Sequence, residues 1–148
     1  MDFHKILNFK TNNPNLEFPD YKSLSDSVKK NLIKSLFDNL KISNNLNEVN
    51  LSKSIEKKSI IIGKISDGAF ILDDLLSNFG YSANEKIYLN WKNFESIEEM
   101  SKLSFNQNFF DIWYPGVDDL DIFDESCNWL LSITHAGIVK ALVNTEGQ

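Results

Sequence analysis

At 148 residues, with 42% hydrophobic and 24% charged side chains, the chain fits one globular domain with a single core, which excludes wholesale disorder. No apolar run approaches the roughly 18–20 residues of a membrane span, and Met1-Asp2-Phe3-His4-Lys5 lacks the basic start and apolar stretch of a secretory signal. All 15 basic residues are Lys, against 21 acids for a net charge of −6, so the Arg fork for phosphate or guanine is missing and nucleic-acid binding is not expected.

Phe3, Ile6, Leu7 and Phe9, followed by Thr11-Asn12-Asn13-Pro14-Asn15, predict a short element, a turn and an extended piece through Phe18-Pro19. Residues 23–40 form the clearest helix. Leu24, Val28, Leu32, Ile33, Leu36, Phe37 and Leu40 follow the spacing of one face, with Lys29, Lys30, Lys34 and Asp38 solvated opposite. Ser23 with Asp26 three residues on is a weak capping box. Residues 44–50 read as a loop or a frayed helix. The β-branched run 59–65 reads as a buried strand closed by the Asp67-Gly68 turn.

Residues 69–79 fit a strand or a helix. Phe70, Leu72, Leu75, Leu76 and Phe79 match helical spacing slightly better, and Gly80 suits the position after a helix end. Residues 85–91 alternate as a half-buried strand, with Ile87, Leu89 and Trp91 on one side and Lys86, Tyr88 and Asn90 on the other. A short helix is expected over 96–103, with Ile97, Met100 and Leu103 inward, and a strand over 109–114, ended by Pro115-Gly116. Residues 118–123, 129–134 and 138–143 read as a three-stranded meander joined by turns at 124–128 and 135–137. No repeat or linker suggests a second domain. The expected fold is therefore one α+β domain over residues 1–148, an antiparallel sheet whose C-terminal three-stranded meander packs against helices.

The charge imbalance is confined to one quarter of the chain. Between Leu103 and Val139 lie Asp111, Asp118, Asp119, Asp121, Asp124 and Glu125, with no Lys or Arg, and seven of the 18 aromatics. Such a segment can build a core with one surface and steer cationic partners with another. Asp118, Asp119, Asp121 and Asp124 offer hard oxygen atoms but not the spacing of an EF-hand loop, so no metal is expected. Acids crowded on a hairpin read as a charged rim or binding patch rather than the separated pair of a glycosidase. His135 reads as a turn histidine bonded to backbone, not as a catalytic partner of Cys127. That single cysteine can form no internal disulfide, and a reducing cytoplasm is the expected compartment. Phosphate loops, Walker motifs and CxxC pairs are missing, so neither cofactor nor enzymatic activity is expected. Trp113 and Trp129 read as core, and Tyr114 as the aromatic most suited to an interface.

The segment Ile112-Trp113-Tyr114-Pro115-Gly116-Val117-Asp118-Asp119-Leu120-Asp121-Ile122-Phe123-Asp124-Glu125-Ser126, continued by Asn128-Trp129-Leu130-Leu131-Ser132-Ile133-Thr134-His135-Ala136-Gly137, resembles small bacterial immunity proteins. These are encoded beside polymorphic toxins, including those of contact-dependent growth inhibition systems. The resemblance covers about the last forty residues, and Ala136 stands where a charged residue is expected. It implies a cytoplasmic protein that neutralises one cognate toxin domain, often a basic nuclease, by occupying its phosphate-binding groove. On that reading Asp118, Asp119, Asp121, Asp124 and Glu125 pair with toxin cations. Tyr114 supplies apolar contact, and Trp113 and Trp129 stiffen the hairpin. The alternative is a non-catalytic adaptor or subunit of a bacterial complex, its acidic hairpin merely solvated.

Overall fold

Every residue of the strand Leu120–Asp124 is buried, and a strand with no exposed side needs cover on both faces of its sheet. The computed structural model describes residues 1–42, 51–66, 68–91 and 93–145. Its elements begin with helix α1 (Phe3–Asn12), strand β1 (Tyr21–Ser23), and helices α2 (Asp26–Leu40) and α3 (Leu51–Lys58). Strand β2 (Ile60–Lys64), helix α4 (Leu72–Leu76) with a 3-10 turn at Ser77–Phe79, and strands β3 (Lys86–Asn90) and β4 (Ile97–Ser101) follow. Helix α5 (Lys102–Ile112) leads to β5 (Leu120–Asp124), β6 (Trp129–Ile133) and β7 (Ile138–Val143).

The strands make one sheet in the order β1-β4-β3-β5-β6-β7-β2, with every neighbouring pair antiparallel. On one face Ile87, Leu89, Ile122, Leu131 and Val139 pack with Leu72 and Leu76 of α4 and Phe105, Phe109 and Ile112 of α5. On the other, Tyr88, Ile97, Phe123 and Leu130 pack with Ile33, Leu36, Phe37 and Leu40 of α2 and Ile55 of α3. The fold is α+β, as expected, and the meander is its centre rather than its margin. Each fully buried Phe contributes roughly 1.5–3 kcal/mol by leaving water.

Helix α2 starts later than its apolar pattern suggests. Ser25, not Ser23, is the cap, its hydroxyl accepting from the Val28 amide at 3.4 Å, and Val28 itself is exposed. Residues 69–79 resolve to the helical alternative, with Gly80 at φ 77 closing the turn. The 44–50 segment and Asp67 lie outside the described residues.

Four expectations are corrected. Residues 97–101 are strand β4, not a helix: Ile97 and Met100 face opposite sides of the sheet, and Glu98 is buried against the Met1 amine at 2.5 Å. The helix lies over the residues expected to be a strand, because Phe105, Phe109 and Ile112 recur at helical spacing and Ser101 caps α5. Strand β2 is not buried. Among the described strands it pairs with β7 alone, has a bulge between Ile61 and Gly63, and leaves Ile60 and Ile61 59% and 68% exposed. Strand β3 is covered on both faces rather than half-buried, with Ile87 to Asn90 all inside.

Candidate functional site

The acids expected to form one outward ribbon are dispersed by the fold. Strand β5 lies between β3 and β6, so its carboxylates enter the layers above and below the sheet. Asp124 is 1% exposed and serves the adjoining turn and core. Its Oδ1 accepts from the Ser126 amide (3.0 Å) and hydroxyl (2.5 Å), and its Oδ2 from the Asn84 amide (2.9 Å) and the Trp129 indole N–H (3.1 Å). Four donors saturate it.

Asp118 is engaged by the chain's own lysine. The buried Lys5 ammonium donates to the Asp118 carboxylate and to the Ile112 carbonyl (2.8 Å), and sits over the rings of Tyr114 (4.0 Å) and Trp91 (4.7 Å). The Tyr114 amide also donates to Asp118 (2.8 Å), and the Trp113 indole N–H to the Asp118 carbonyl oxygen (3.0 Å). Tyr114 is thus half-buried beneath a cation that α1 supplies. Asp119 and Glu125 alone of the five proposed contact acids are exposed, and they flank opposite ends of β5.

Asp121 behaves differently. Strand register aligns Asn90 of β3, Asp121 of β5, Ser132 of β6 and Lys140 of β7 as a single polar row across four neighbouring strands. The row lies on the face that α2 and α3 cover, one step beyond the apolar row Tyr88, Phe123, Leu130 and Leu142. There a cavity of about 490 Å³ opens, lined by the row, by Ser52 and Glu56 of α3, and by Trp91, Asp119, Thr134 and His135. Such a volume suits a side chain or small ligand.

Within the cavity two acids have cationic or ionisable partners. Lys140 Nζ lies 3.6 Å from Glu56 Oε1, and Asp119 Oδ1 accepts from the His135 amide (2.8 Å) and lies 2.9 Å from His135 Nδ1. His135 is a turn residue, as expected, although its ring meets a carboxylate. Asp121, 8% exposed, is held by neutral groups, the Asn90 amide at 2.9 Å and the Ser132 hydroxyl. Burial pushes its carboxyl up to about 6, the Ser132 and Asn90 hydrogen bonds pull the other way, and the Asp119 charge adds to the rise.

Cys127 lies in the core beneath α2, before β6, whereas His135 follows that strand's far end. Burial, with Asp124 and Glu125, pushes its thiol up to about 11, which suppresses the nucleophilic thiolate. Among the described residues no group of three or more His, Cys, Asp or Glu side chains is placed to hold a metal ion, and no helix is long and apolar enough to cross a membrane.

The polar row was hidden because each member is flanked by apolar residues along its own strand, and only register brings them together. The available signal was those interruptions: Asn90 after Ile87-Tyr88-Leu89, Ser132 between Leu131 and Ile133, Lys140 between Val139 and Ala141. Comparison of the chain with family models, with curated proteins and with solved structures gives no match.

Proposed function

We propose that the protein is a non-catalytic binding module that neutralises a basic partner protein, as immunity proteins do, through the cavity on the α3 side of its sheet. The observation that carries this reading is the cavity's charge: among the described residues, three carboxylates (Glu56, Asp119, Asp121) against one ammonium (Lys140) in a concave site. The resemblance of the C-terminal segment to toxin-neutralising immunity proteins supports the same class of partner. Negative potential in a cleft raises the encounter rate with a cationic surface and disfavours phosphate-bearing ligands. The contact set therefore moves from the hairpin as a whole to Asp119, Asp121 and the cavity rim. Asp118 and Asp124 act inside the fold.

The test is co-expression with the C-terminal fragment of the protein encoded immediately upstream. Growth rescue, with one-to-one co-elution that weakens as salt rises, is the expected result. No rescue and no complex would refute the neutraliser reading.

One observation favours a second reading, the adaptor. Strand β2 is a sheet edge with Ile60 and Ile61 exposed, a geometry that accepts an added strand from another chain. Loss of complex formation in Ile61→Lys, with Asp119→Lys unaffected, would select the adaptor.

A further inference from the structure

We infer that the cavity on the α3 side of the sheet receives one arginine side chain of the partner, its guanidinium seated on the Asp121 carboxylate. This rests on the neutraliser reading for the identity of the partner, but not for the existence of the site.

Three observations lead there. First, Asp121 is a buried carboxylate whose hydrogen-bond partners among the described residues, Asn90 and Ser132, carry no charge. Buried charges in proteins are ordinarily paired, because an isolated one costs several kcal/mol in lost hydration. Asp124, three residues on, has four donors, and Asp118 and Glu98 each have an ammonium, so the other acids in the core carry either a full set of donors or a positive charge beside them. A carboxylate has about four acceptor positions, and two donors leave room for a fork.

Second, the vacancy has the volume and chemistry of a side chain rather than of a bare ion. A cavity of about 490 Å³ is far larger than a metal site needs, and no set of three ligating side chains surrounds it among the described residues. Among the described residues the one lysine in the lining, Lys140, is already 3.6 Å from Glu56. An anionic ligand would meet three carboxylates.

Third, the lining suits a guanidinium better than an ammonium. Its planar fork can take a carboxylate in two parallel hydrogen bonds, which a point-charge ammonium cannot. The Thr134 hydroxyl and Asp119 carboxylate in the lining offer further acceptors for a five-donor group.

The experiment uses the whole chain and three small probes: N-acetylarginine amide, N-acetyllysine amide with a free ε-ammonium, and N-acetylcitrulline amide, the neutral isostere of the first. Amide chemical shifts are followed on titration, in the native protein and in Asp121→Asn, an isosteric change that Asn90 and Ser132 can still hydrogen-bond. The expected result is saturable arginine binding with shifts confined to Trp91, Ser132, Thr134 and His135. It should be at least tenfold weaker for the lysine and citrulline probes and at least tenfold weaker in Asp121→Asn. Equal binding of citrulline or lysine, equal binding by the variant, shifts away from the cavity, or no binding at tens of millimolar probe would each overturn the inference. Partner binding that survives Asp121→Asn would remove the arginine anchor and leave the neutraliser reading intact. Arginine binding without any complex in the co-expression test would do the reverse.

Discussion

Asp121 and Asp124 stand three residues apart on one strand, both buried, yet they do opposite things. Asp124 points to the α4/α5 side and is saturated by two backbone amides, a hydroxyl and an indole N–H, so it stitches the β5–β6 turn to the start of β3. Asp121 points to the α2/α3 side, at the edge of a cavity, and among the described residues only two neutral groups donate to it. Burial of a carboxylate is therefore not by itself a mark of function. What separates a structural acid from a candidate binding group is how many of its lone pairs the fold has already used.

The largest effect expected from breaking this contrast is on the structural side. Lys5→Met should destabilise the protein by about 3–5 kcal/mol, because it strands the Asp118 carboxylate in a largely buried site and removes a ligand of the Ile112 carbonyl. Denaturant unfolding reads this directly, and a loss below about 1 kcal/mol would show that the Lys5–Asp118 contact is not a staple. Asp124→Ala should cost about 3 kcal/mol by orphaning its donors, two of them backbone amides. The same assay checks it, and a change within 0.5 kcal/mol would contradict the account.

Asp121→Asn should act in the other direction. The folded carboxyl titrates near 6 against an ordinary 3.8, so the folded state binds the proton more tightly than the unfolded chain. That contribution to stability is fully present below about pH 3.8 and is lost as pH rises through about 6. At pH 7 the variant should therefore be more stable than the native protein, by on the order of 2–3 kcal/mol, with the difference vanishing toward pH 4. A pH-independent difference would show that Asp121 is not the titrating group. The smallest effects belong to the exterior and to the thiol. Glu125→Gln should leave the unfolding midpoint unchanged, and Cys127 should resist iodoacetamide at pH 8 until the protein is unfolded.

The meander was legible because its apolar runs are separated by turn residues, among them Gly137 at φ 82, and β5, β6 and β7 fall close to where the pattern puts them. The exchange of helix and strand between 96 and 114 was not. Ile97 and Met100 are three apart, which fits a helix turn as well as opposite faces of a strand, and the buried Glu98 depends on the Met1 amine, 97 residues away. The acids were misplaced for the same reason. Alternation along β5 separates Asp121 from Asp124, but whether each face is covered depends on α2, α3, α4 and α5. The partner of Asp118 is a lysine 113 residues earlier. Reversing Asp118, Asp119 and Asp121 to Lys together would therefore test the fold more than the binding surface.

The most direct test of the account is the pH titration of the Asp121 carboxyl carbon by nuclear magnetic resonance, alone and with saturating N-acetylarginine amide. The account predicts a midpoint near 6 in the free protein that falls by at least one pH unit when the guanidinium binds. A midpoint that the ligand leaves in place, or one near 4 from the outset, would contradict it.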